Sequence, residues 1–134
     1  MGPQTTDTFP VMTSDDIVRV RQEVRRQAVS VGLGLVDQTK IVTAASELAR
    51  NLVDHGGGGS VRLELIDDSA RRGIRLVFED QGPGIPDVEK ALTDGYTTSK
   101  GLGLGLGGAR RLSNEFKIDT VVGKGTRVTI ARWR

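Results

Sequence analysis

Residues 101–108 read GLGLGLGG, five glycines and three leucines. No strand can run through this segment, because so many glycines leave one face with nothing to pack. A plain linker fits no better, since the helical pattern Ala109-Arg110-Arg111-Leu112 follows at once. The chain must therefore place a glycine-rich loop at a helix N-terminus. Unpaired N–H groups at such a start make an anion site. Gly103, Gly105 and Gly108 also spell G-x-G-x-x-G. The dinucleotide fingerprint needs a strand just before it, and the preceding DGYTTSK is not one. A P-loop is excluded, because Gly-Lys-Ser/Thr occurs nowhere. On its own the run stays open between a phosphate loop and a flexible turn.

Around it the apolar periodicity marks both helices and strands. Ser14-Asp15-Asp16 starts a helix whose stripe is Ile17, Val20, Val24, Ala28 and Val31, ended by Gly32 and Gly34. A second helix covers about residues 36–54, with Ile41, Ala45, Leu48 and Leu52 inward. His55 and the following glycines form its C-cap and turn. Residues 61–66 and 74–78 read as a hairpin around a polar turn at 67–73. A short helix fits 87–92, and another begins in the glycine run. Strands at 117–122 and 126–131 flank Gly123-Lys124-Gly125. Helices interleaved with strands imply a two-layer α/β (α+β) sandwich. Its sheet is mixed but mostly antiparallel, and helices cover one face. Residues 1–134 form one domain. The polar residues 1–8 are expected to be flexible, with a short strand at 9–12.

Composition removes several classes. The 134 residues suffice for a core without staples. Cysteine is absent, which excludes disulfides, thiolate catalysis and Cys-ligated metals, and suits a cytoplasmic protein. A single histidine excludes His-cluster metal sites. The formal net charge of +2 gives no reason to expect nucleic acid or a membrane surface as partner. No window reaches the roughly 18 apolar residues of a membrane span.

Three further stretches carry chemistry. Glu47 and Asn51 lie four apart on the second helix and share a face beside its buried stripe. A carboxylate and a carboxamide there suit a proton acceptor and a hard cation. A solvated polar face, with Glu47 paired to Arg50, satisfies the same spacing. Asp80-Gln81-Gly82-Pro83-Gly84-Ile85 ends a strand in a turn. Its two glycines admit a flat ligand, and Asp80 can accept from an exocyclic amine or cap the turn. Gly123-Lys124-Gly125-Thr126 is by itself a hairpin turn. Arg110 and Arg111 are open between contact with phosphate or partner and a solvated face.

In this order the stretches resemble the Bergerat-fold (GHKL) ATPases: gyrase B, Hsp90, sensor histidine kinases and MutL. Glu47-x-x-x-Asn51 resembles the N box, Asp80-x-Gly82-x-Gly84 the G1 box, the glycine run G2, and Gly125-Thr126 the last box. The resemblance spans nearly the whole chain and leaves no room for the extra domains of most members. It narrows to the stand-alone serine/threonine kinases of bacterial partner-switching systems, and within them to the stressosome switch kinases (RsbT-like). The stretches that carry this are Asp37-Gln38-Thr39-Lys40-Ile41, Ser46-Glu47-Leu48-Ala49-Arg50-Asn51, Glu79-Asp80-Gln81-Gly82-Pro83-Gly84-Ile85-Pro86-Asp87 and Asp94-Gly95-Tyr96-Thr97-Thr98-Ser99. The anti-sigma-factor kinases are siblings.

The resemblance implies a site for ATP and Mg²⁺. Asp80 and Thr126 would read adenine, with Gly82 and Gly84 admitting the base and Ile85 against its face. Asn51 would ligate Mg²⁺. Lys100, Gly101, Leu102, Gly103, Leu104, Gly105, Leu106 and Gly107 would wrap the phosphates, and Glu47 would be the general base. Substituting Val for Gly103 or Gly105 is expected to weaken ATP binding and leave the fold intact. The implied substrate is a STAS-domain antagonist protein, and a PP2C-type phosphatase is the partner activated afterwards. The alternatives are an anti-sigma factor that phosphorylates an anti-anti-sigma protein and a non-catalytic nucleotide-gated module.

Overall fold

A computed structural model describes residues 3–92 and 105–134, with side chains from residue 6 onward. The first helix, α1, is Ser14–Ser30, and its N-cap is Thr13. The Asp16 carboxylate accepts the Met12 and Thr13 N–H groups at 2.8 and 3.2 Å, and the Thr13 hydroxyl accepts the Asp16 N–H. This reciprocal box satisfies donors that a helix start leaves unpaired. The expected stripe is buried from Ile17 to Ala28. The turn through Gly32 leads into α2, Leu35–Asp54, whose Ile41, Ala45, Leu48 and Leu52 face inward.

Five strands follow the order β1-β2-β3-β5-β4. They are β1 (Pro3–Val11), β2 (Gly59–Asp67), β3 (Arg72–Asp80), β4 (Glu115–Val121) and β5 (Gly125–Trp133). Every pairing is antiparallel among the described residues, where the sequence suggests a mixed sheet. The short helices α3 (Val88–Ala91) and α4 (Leu106–Arg111) lie between β3 and β4 in the chain.

The N-terminal expectation is corrected. Residues 3–8 belong to β1, which pairs with β2 from Pro3↔Ile66 to Val11↔Gly59. Main-chain pairing needs no apolar side chains, and an edge strand is where polar residues are tolerated. Among the side chains described, only Val11 anchors this strand fully in the core. The other strands also outrun their apolar patterns. The β2–β3 turn tightens around Asp68, whose Oδ1 accepts from Ala70 and Arg71 N–H, each at 2.8 Å.

The core fills the space between α1 and α2 and one face of the sheet, where Val61, Leu63, Leu76, Phe78, Val128 and Ile130 meet the helix stripes. The other face carries charged residues, among them Arg62, Glu64 and Arg75, together with Trp133. The two-layer arrangement therefore agrees with the sequence pattern. No helix among the described residues is long and apolar enough to cross a membrane.

Candidate functional site

The register of the sheet puts three polar residues side by side. Asp80 on β3 pairs with Thr126 on β5, which pairs with Thr120 on β4. Two residues further into the sheet, the corresponding row is Phe78, Val128 and Ile118, and all three pack in or against the core. A polar row thus edges an apolar floor. Above it lies a cleft of about 410 Å³, walled by Leu48, Asn51 and Leu52 of α2, by Ile85 and Ala91, and by Leu106 of α4. An apolar slot with a few polar groups at its rim suits a flat, weakly polar ring with an attached charged tail.

Asp80 is held on several sides. Its Oδ1 accepts the Gly82 N–H at 2.9 Å. A Cβ on Gly56 would fall 2.7 Å from Asp80 Cγ, and one on Gly125 would fall 2.2 Å from the Asp80 carbonyl oxygen. Gly82 packs on the Gly56 backbone, with 2.8 Å from its notional Cβ to the Gly56 oxygen. The turn-capping and ligand-reading possibilities are therefore compatible: one carboxylate oxygen caps the turn, and Asp80 still lines the cleft. Gly84 has φ 77° and lies against the Val121 carbonyl, a position closed to a side chain. Pro83 O accepts from Gly123 N–H at 2.8 Å, and Ile85 N–H donates to the Thr120 hydroxyl at 2.9 Å. The loop after β3 is thus tied to the β4–β5 hairpin.

Asn51 lines the cleft as expected, near the C-terminal end of α2. Its carbonyl accepts the His55 and Gly56 N–H groups at 2.9 and 3.0 Å, so the helix cap also aims Gly56 at Asp80. No cluster of three metal-ligating side chains exists among the described residues. One amide oxygen beside a cleft is still compatible with Mg²⁺, which takes few protein ligands and draws the rest from phosphates and water.

Glu47 sits one turn before Asn51 and is exposed. It is not paired to Arg50, and among the described residues it forms no ion pair or hydrogen bond. Its neighbour is Gly105, the N-cap of α4 at φ 63°, where a Cβ would stand 2.7 Å from Glu47 Oε2. Leu106 and Gly107 are buried in the first turn of α4, ahead of its Ala109 N–H to Gly105 O bond. Lys100, Gly101, Leu102, Gly103 and Leu104 lie outside the described residues. Sequence reasoning places His55 as the C-cap of α2, which it is, but not at the cleft it also lines, and it missed Gly56 and Thr120. Gly56 and Thr120 depend on chain crossings that no local pattern announces.

Residues 36–134 match the histidine kinase-, DNA gyrase B- and HSP90-like ATPases, and the chain belongs to that family. Within it the chain is similar to the serine/threonine-protein kinase RsbT of Bacillus subtilis (strain 168), 46% identical over 92% of each protein. It is also 30% identical to an anti-sigma F factor of Clostridium novyi (strain NT), over 70% of this chain and 69% of that one. Among solved structures, the RsbU and RsbW domains of Rv1364c from Mycobacterium tuberculosis share the fold at TM-score 0.68 and 23% identity, over 98% of this chain and 33% of that longer one. The catalytic domain of the histidine kinase ThkA does so at TM-score 0.56 and 15% identity, over 97% and 96%.

Proposed function

We propose that this chain is an ATP-dependent protein serine/threonine kinase of a partner-switching system. The observation that carries this is the cleft in which Asp80, Thr126 and Asn51, from three separate elements, edge an apolar floor. Similarity to a named serine/threonine-protein kinase over nearly the full chain supports the activity.

On this reading adenine enters against Ile85 and the floor, its amine donating to Asp80. The phosphates lie toward α4, near the first-turn amides of Leu106 and Gly107. Residues 100–104 are assigned to the same end of the nucleotide. Asn51 would hold Mg²⁺, which would offset phosphate charge. Glu47 takes the proton of the attacking hydroxyl while the γ-phosphoryl group passes to its oxygen and ADP leaves. An exposed carboxylate one turn before Asn51 suits a base that must meet a protein substrate. That substrate is a serine or threonine on a small STAS-domain protein. Its phosphorylation frees the kinase to activate a PP2C-type phosphatase in a stress-response pathway. On this reading the kinase works in the cytoplasm.

Incubation with a purified STAS-domain antagonist and labelled ATP tests this. Labelled antagonist is expected, and Glu47→Ala should cut transfer by roughly 10²-fold or more with ATP still bound. Full activity of that variant would remove Glu47 from the base role. The similarity to anti-sigma F factors favours a second reading, an anti-sigma kinase that sequesters a sigma factor. Co-precipitation of a sigma factor with the purified chain would select it.

A further inference from the structure

Thr120 lies in no motif the sequence brings forward, yet its hydroxyl stands directly behind Thr126, which lines the cleft. Its Oγ1 accepts the Ile85 N–H at 2.9 Å, stands 2.9 Å from Thr126 Oγ1, and reaches the Gly125 carbonyl at 3.2 Å. Thr120 has one proton and two possible acceptors for it. If the proton goes to Gly125 O, the Thr126 proton must point to Thr120, and Thr126 offers the cleft only lone pairs. If it goes to Thr126, the Thr126 proton is free to point into the cleft. Both arrangements use the same heavy-atom positions, so a ligand can choose between them by rotation of two hydroxyls.

Adenine presents a donor amine beside an acceptor ring nitrogen. Asp80, the direct register partner of Thr126, supplies the acceptor for the amine. The matching partner for the ring nitrogen is a donor. Resting on the assignment of the cleft to ATP, we propose that Thr120 is a positioning residue for base recognition. It gives its proton to Thr126 when the nucleotide binds, so that Thr126 donates to the ring nitrogen next to the amine. The same oxygen keeps Ile85 in place by accepting its N–H. One side chain thereby fixes both the group that reads the edge of the base and the residue that covers its face.

Thr120→Val keeps the shape but puts a methyl where an oxygen stands 2.9 Å from Thr126, and a methyl needs about 3.5 Å. Relief of that contact moves the Thr126 oxygen off the place where the Thr120 hydrogen bond holds it, so its proton no longer meets the ring nitrogen. Thr120→Ser keeps the oxygen and its proton. The probes are ATP and 1-deaza-ATP, in which C–H replaces the ring nitrogen beside the amine, with binding to each variant measured by calorimetry. The unsubstituted protein should prefer ATP by roughly tenfold, the value of one good hydrogen bond. In Thr120→Val and in Thr126→Val the preference should fall to near unity, and Thr120→Ser should retain it. A Thr120→Val protein that binds both nucleotides more weakly but keeps the full preference would overturn the proposal, since Thr120 would then only brace the loop. ATP binding without any preference in the unsubstituted protein would overturn it too, while leaving the cleft assigned to ATP. No ATP binding at all would remove that assignment and this proposal with it. Thermal melts confirm that the variants compared are folded.

Discussion

Gly56 shows how one missing side chain shapes a site. The sequence presents it as one of four glycines behind a helix cap. In the fold it lies against Asp80, where a Cβ would come within 2.7 Å of the carboxylate carbon. Gly56→Ala must therefore displace Asp80 and loosen its hold on the Gly82 N–H. The expected result is ATP affinity reduced by about tenfold, the scale of one hydrogen bond, with little change in melting temperature. Calorimetric titration beside a thermal scan checks both. Gly105 presents the same situation at the other end of the cleft. Its positive φ costs an alanine about 1–2 kcal/mol, and the new methyl would press on Glu47. Gly105→Ala should lower both melting temperature and phosphoryl transfer, and transfer should fall more than ATP affinity does. For Gly105 this modifies the sequence-based expectation of an intact fold under substitution by Val. The positions of Asp80, Asn51 and Glu47 are legible in the sequence because helix spacing and strand ends are local, and the roles proposed for them follow from the resemblance. The roles of Gly56 and Thr120 are not legible there, because their partners arrive from other elements.

At the scale of the element, the helix starts matter most. The Met12 N–H holds the Asp16 carboxyl below its usual range, against the opposing effect of burial and with help from Thr13 and Arg19. A folded-state pKa below the unfolded one adds stability above the unfolded value, and that stability is lost as pH falls through the folded one. The melting temperature of the native chain should therefore exceed that of Asp16→Ala at neutral pH. The gap should close as pH drops from about 5 to below the ordinary aspartate value near 4. A gap constant down to strong acid would exclude this role for the charge. Arg132 links elements over a longer distance. Its guanidinium donates to Asp37 Oδ1 at 3.0 and 2.8 Å and to the Leu112 carbonyl at 3.3 Å, joining β5 to the start of α2 and the end of α4. Arg132→Ala should cost about 1.5–3 kcal/mol in denaturant unfolding, the scale of hydrogen bonds to charged groups. Both helices are visible in the sequence, but the residue that ties them, Arg132, lies 95 positions from Asp37 and has no local pattern. The same reason hides residues 3–8 of β1, whose pairing is made by backbone groups rather than by an apolar stripe.

The whole molecule couples folding to its ligand. The cleft draws on α2, β3, β5, α4 and the residues after β3, elements that span positions 48 to 128. The sequence conveys the two layers because apolar periodicity reports which face is buried. It conveys the strand order less well, because β5 inserts beside β3 ahead of β4 and that choice is made by packing. A site assembled from so many elements exists only in the folded chain, so a nucleotide that binds it must stabilise the fold. At a concentration about 100 times the dissociation constant, binding adds about 2.7 kcal/mol. For a domain of this size that corresponds to a rise in melting temperature on the order of 10 °C. The rise should depend on nucleotide concentration, and Asp80→Asn should abolish it at the same concentrations while melting near the native temperature without nucleotide. A full ATP-induced rise in Asp80→Asn would place the base elsewhere in the fold. A variant that melts far lower without nucleotide would show that Asp80 chiefly supports the loop it caps.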